Sequence, residues 1–174
     1  MKAAVIYFLK IFVYMTVAYG GSQLLIYYFF QDSPNLLVPV ISGLAFGFTM
    51  GLIFTISQIV QVKKFYKGKI TPEALSVHQV AHFHSPLSKA QIVAKLKNHY
   101  PAKDWKLSEE ADLIKLKTSF TAQSFGEKVT IKVNQLQNGL SEIFLESRPN
   151  VWYTMADYGK NLENISYLRK LLSA

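Results

Sequence analysis

The sequence predicts an α+β protein carried on a two-helix membrane anchor. Three observations predict it. Two uncharged stretches, Ile11–Gln31 and Ser33–Val62, hold 21 and 30 residues and are separated only by Asp32. After Trp105 and Leu107 the apolar residues change from helical spacing to a period of two, and helical spacing returns near the C-terminus. The expected order is a helical hairpin, then β-α-β-β-β-β-α, a curved antiparallel sheet whose apolar face is covered by helices.

Each uncharged stretch is long enough for a membrane span, which takes about 20 mostly apolar residues. The spans are expected at about 11–31 and 37–62, so residues 1–62 form the hairpin. A cleaved signal fits poorly, because the first run is long and a second, longer run follows with no mature domain between them. A buried pair of soluble helices fits poorly too, since both runs are apolar on every side. Lys2 and Lys10 precede the first span, Lys63, Lys64, Lys67 and Lys69 follow the second, and the loop Gln31–Asn35 has no basic residue. The positive-inside bias then puts both termini in the cytoplasm. Tyr27–Phe30 and Phe65–Tyr66 suit interfacial anchors.

Gly43, Gly47 and Gly51 recur every four residues, a glycine-zipper face on which another backbone can approach closely. Ala18, Gly21 and Ser22 of the first span are the expected partners, and a homo-oligomer is the alternative. Gln23 is expected to hydrogen-bond between the helices. Neither span carries a charge of the kind that marks an ion or substrate path.

Residues 63–76 read as a basic juxtamembrane linker in which Lys63, Lys64, Lys67 and Lys69 are candidate lipid-headgroup contacts. Residues 77–174 read as the cytoplasmic domain. It opens with a strand over Val77–His84. A helix follows from Ser88, where Ser88-x-x-Gln91 has the form of a capping box; Ile92, Val93, Leu96 and Tyr100 line it and Pro101 stops it. Ile114, Leu116, Thr118 and Phe120 alternate with polar residues, as do Val129, Ile131 and Val133, so both runs read as half-buried strands. Asn138-Gly139 signals a tight turn before a strand over Leu140–Ser147. The last helix starts at Asp157 or Asn161, with Leu162, Ile165, Leu168 and Leu172 as its apolar stripe.

The formal net charge is +8, but residues 1–70 carry six Lys against one acid and residues 71–174 carry 13 basic against 10 acidic groups. The basicity therefore belongs largely to the membrane flanks, and a nucleic-acid partner is not expected. There is no cysteine, hence no disulfide and no thiolate chemistry. No phosphate loop, His-Glu-x-x-His or Gly-x-Ser-x-Gly is present, so no catalytic set and no cofactor are expected.

His78, His82 and His84 have even spacing and would share one side of a strand, a candidate metal site that lacks a carboxylate. Arg148, Asp157, Lys160 and Asn161 form a second candidate. Arg148 and Lys160 beside free N–H groups at a helix start would hold an anion; the structural alternative has Asp157 capping the helix and pairing with Arg148. Trp152 and Tyr153 are expected in the core, with a ligand-pocket wall and a membrane-touching edge as the alternatives. The strand ending in Ser147-Arg148, followed by Asp157-x-Gly159-x-Asn161 at the last helix, resembles the C-terminal signature of an uncharacterised bacterial domain family over the last 30–40 residues. The resemblance implies a fold and little else.

The function expected is a non-enzymatic bacterial inner-membrane protein presenting a small cytoplasmic binding domain to another protein, a lipid headgroup or a small ligand, with a homo-oligomer as a further partner. The alternatives are a membrane-anchored enzyme acting on a lipid or anionic metabolite, and an oligomeric channel or transporter subunit.

Overall fold

The computed structural model describes residues 2–30, 35–99, 101, 104–120, 124–137 and 139–173. Asp32 with most of the expected loop, Tyr100 and Asn138 lie outside them. Among the described residues there are four helices and a five-stranded antiparallel sheet, an α+β architecture. The chain divides into two units, Met1–Leu75 and Ser76–Ala174.

The first unit is built on α1 (Lys2–Phe30) and α2 (Leu37–Phe65). Both reach past the uncharged stretches: α1 runs through Lys10, and Lys63 and Lys64 form the last turn of α2, where cations oppose the negative end of the helix dipole. Pro39 falls in the first turn of α2, where a missing N–H costs no helical bond. By length and composition both helices can cross a membrane, and only 22% of each apolar window is buried. Val17, Leu25, Leu37 and Ile56 are among the side chains left bare.

The glycine face of α2 is packed against α1. A Cβ on Gly43 would stand 2.9 Å from the Gly20 Cα, one on Gly47 would stand 2.8 Å from the Phe12 carbonyl oxygen, and one on Gly51 would meet the Phe8 ring at 2.9 Å. The expected partners are corrected by this register. Antiparallel helices meeting in steps of four on α2 use steps of four on α1, which selects Gly20, Thr16, Phe12 and Phe8. Gly21 has open space around it, Ala18 and Ser22 are exposed, and Gln23 is half-buried. Phe8 stacks on Phe12 and meets Phe48 edge-on, and Tyr19 stacks on Phe46. After α2, Ala74 and Leu75 are buried, and Gln58 Nε2 donates to the Leu75 carbonyl at 3.4 Å.

The second unit runs β1 (Gln79–Ser85), α3 (Lys89–Asn98), β2 (Lys106–Glu109), β3 (Leu113–Lys117), β4 (Glu127–Gln135), β5 (Ser141–Pro149) and α4 (Lys160–Leu172), with sheet order β1-β5-β4-β3-β2. The capping box forms as spaced: Gln91 N–H donates to Ser88 Oγ, and the Ser88 N–H to Gln91 Oε1. Alternation sends Ile114, Leu116, Val129, Ile131, Ile143 and Leu145 to one face, where Ile92, Leu96, Leu168 and Leu172 close the core. Trp105 and Tyr167 pack edge-on beside it.

Two expectations about this core are corrected. Phe120 is 70% exposed, because β3 ends at Lys117 and Thr118 is held by Glu127 through both backbone and side chain. Trp152 and Tyr153 are exposed as well, in the turn that follows Pro149, where they stack edge-on against each other.

Candidate functional site

The start of α4 is a buried polar knot. Tyr158 and Gly159 both take left-handed backbone angles, φ 51° and 72°, a conformation glycine adopts without strain. The reversal lets the Asp157 carboxylate accept from the Gly159 N–H at 3.2 Å and from both the Asn161 N–H and Nδ2 at 2.8 Å. Ser147 Oγ donates to Asn161 Oδ1 at 2.6 Å and accepts from Asn164 Nδ2 at 3.3 Å. Asp157, Asn161, Asn164 and Ser147 are all buried and mutually satisfied, which makes the knot a structural lock between β5 and α4.

Arg148 is not part of it. Consecutive strand residues face opposite sides, so a buried Ser147 sends Arg148 to the open face of the sheet. There its Nε stands 3.8 Å from Glu146 Oε1, and the expected pairing with Asp157 gives way to this one. Lys160 turns to Glu163 at 2.8 Å. The four residues of the expected anion site are thus divided between the two faces of the sheet. The lipid-headgroup lysines are divided too, Lys63 and Lys64 ending α2 while Lys67 and Lys69 follow it.

The open face has two halves. On β1 and β5, His82 Nε2 is 3.0 Å from Glu142 Oε1, and His78, just before β1, has its Nε2 2.9 Å from Glu146 Oε1. The Asn134 amide also donates to Glu142, and that bond first, then the one from His82, holds the Glu142 carboxyl below its usual value. His84 lies beside His82, with ring centroids 6.2 Å apart. Each carboxylate takes a separate histidine, and among the described residues no group of three or more His, Asp or Glu converges to hold a metal.

The other half is cationic. The registers place Lys106 opposite Lys117, Lys117 opposite Lys128, and Lys128 opposite Arg148. Four basic residues therefore stand in one line across four strands, all exposed on the open face. Lys106, Lys117 and Lys128 make no ion pair among the described residues. Like charges directly opposite each other on adjacent strands oppose pairing. Between them lies a groove of about 370 Å³ that also includes Ser108 and Thr130, and a second of about 300 Å³ continues past Arg148 and Lys128 to His78, Asn150 and Trp152. Neither buried carboxylate, Asp157 or Glu127, lines these grooves. Chemically the line can attract and orient negative charge; it offers no nucleophile paired with a base.

Alternation announces that Lys117 and Lys128 share a face with other polar residues. Their meeting is set by register, which alternation alone does not specify. Comparison of the chain with known protein families, with curated proteins and with solved structures finds no match.

Proposed function

We propose that this is a two-span membrane protein whose C-terminal domain is a non-catalytic cytoplasmic binding module, receiving an anionic group on its open sheet face. The observation that carries the reading is the line Lys106, Lys117, Lys128 and Arg148, whose three lysines make no ion pair among the described residues. The basic residues flanking the uncharged stretches support cytoplasmic termini, and the bare apolar exterior of the hairpin calls for lipid around it. The glycine face, filled by α1, lends no support to a pore built on it.

Purified chain in phosphatidylcholine nanodiscs is expected to bind tripolyphosphate, more weakly as salt rises and at least tenfold more weakly after Lys117→Glu with Lys128→Glu. Binding unchanged by the double substitution sinks the site. In native membrane vesicles, protease should remove the domain only from inside-out preparations; cleavage from the outer side overturns the orientation.

A further inference from the structure

The grooves do not end in plain solvent. In this sheet β1, β2 and β4 begin, and β3 and β5 end, at the same edge, and the cation line is the last row before that edge. The loops leaving that edge carry four bare aromatics: Phe120 and Phe125 after β3, exposed by 70% and 62%, and Trp152 and Tyr153 after β5, exposed by 91% and 60%. Each pair touches edge-on, with ring centroids 5.6 and 5.5 Å apart. The described residues beside these aromatics are tied down. The Glu127 carboxylate, 1% exposed, is gripped by the Thr118 and Ser124 hydroxyls, and the Asn150 N–H donates to the Gly126 carbonyl at 2.9 Å, tying one loop to the other. A Cβ on Gly126, where φ is +82°, would stand 2.9 Å from the Thr118 carbonyl oxygen, so the turn also demands glycine.

We propose that this edge docks onto the anionic surface of the bilayer, the aromatics entering the headgroup boundary and Lys106, Lys117, Lys128 and Arg148 lying over anionic lipid phosphates. The proposal rests on the anion-binding reading and names its partner. Large apolar side chains clustered in the open mark a contact surface, and aromatic rings beside cations are what a headgroup region accepts. A row of charges running across four strands at one edge fits an extended surface better than it fits an enclosed ligand. The covalent path agrees, since the chain leaves α2 at Phe65 and enters the sheet at Gln79, on this same edge. A surface so tethered meets the bilayer at high effective concentration.

The test uses the whole chain with Trp105→Phe, which leaves Trp152 as the sole tryptophan, in nanodiscs of phosphatidylcholine alone and of phosphatidylcholine mixed equally with phosphatidylglycerol. Acrylamide quenching of Trp152 is expected to fall several-fold in the anionic discs and to recover at high salt. Each cation removed should shift docking about fivefold. Lys128→Glu is the decisive variant, because it places a carboxylate between Lys117 and Arg148, removes repulsion within the sheet and so keeps the fold. It should restore quenching. Amide exchange at Asn150–Thr154 in the unaltered chain reads the same shielding without the Trp105 substitution. Equal quenching in both discs overturns the proposal, as does shielding that Lys128→Glu leaves intact. Tripolyphosphate binding with Trp152 still open in anionic discs leaves the binding module standing and ends the membrane docking; loss of both ends both.

Discussion

Where α1 meets α2, the contact is made by what glycine lacks: the Gly43 backbone lies against Gly20, and that of Gly47 against Phe12 and Thr16. Where α4 meets the sheet, the contact is made by Ile165, Leu168 and Leu172 filling space against Ile143 and Leu145. The outer surfaces are inverted to match. The hairpin leaves its large aliphatics outside, while the domain leaves Lys, Glu and His on its open sheet face. The difference is the one expected if lipid surrounds the first unit, as proposed, and water the second. In lipid, moving Leu to an interface gains nothing, so helices associate through close backbone approach; in water, each buried aliphatic side chain contributes about 1.5–3 kcal/mol.

This contrast makes its largest prediction in the domain. Leu168 is fully buried, and Leu168→Ala should cost about 2–5 kcal/mol, read as a lowered urea midpoint of the domain's unfolding with the chain held in detergent. A loss under about 1 kcal/mol, within the range of surface substitutions, would mean the core collapses around the gap or was never close-packed. In the hairpin the comparison runs the other way, from small to large. Gly47→Val must push against the Phe12 carbonyl oxygen and the Thr16 N–H, and overpacking of this kind costs about 1–3 kcal/mol. Gly21→Val, on the side with open space, should leave stability unchanged. Cysteines placed at Thr16 and Gly47 of the two backgrounds are unsuitable as probes, since they alter the contact itself. Spin labels near the helix ends should report separation for Gly47→Val alone. Equal separation in both variants would break the idea that one face holds the pair.

Much of the architecture was legible. The order of strands and helices followed from changes in apolar period, and the Ser88-x-x-Gln91 cap from local hydrogen bonding, because both depend on residues near each other in sequence. Faces were legible and partners were not. Period two correctly turned Ile114 and Val129 inward, yet the same parity placed Phe120 inside, beyond the point where Thr118 and Glu127 end the pairing. The parity of Ser147 and Arg148 already held the information that separates Arg148 from Asp157, since neighbours on a strand cannot both face α4. The cation line depends on three strand registers, and register is decided by loops and core packing that no short window of sequence contains.

The smallest effect concerns the other half of the open face, where charge is paired. Glu142 accepts from Asn134 Nδ2 at 3.1 Å and lies 3.0 Å from His82 Nε2, with His84 as its register partner on β1. These lower its carboxyl pKa below the ordinary 4.5, the Asn134 bond most of all, while desolvation works against them. A carboxyl depressed in the folded state adds stability that is fully present above its unfolded pKa and is lost as pH falls through the folded one. The loss should therefore begin below about pH 4.5 and be absent in Glu142→Gln. Carboxyl NMR titration separates the two causes: Asn134→Ala should raise the Glu142 midpoint more than His82→Gln does. The reverse order would show that the histidine, not the amide, governs this half of the sheet. It would then be charge pairing, rather than neutral hydrogen bonding, that distinguishes it from the bare cation line beside it.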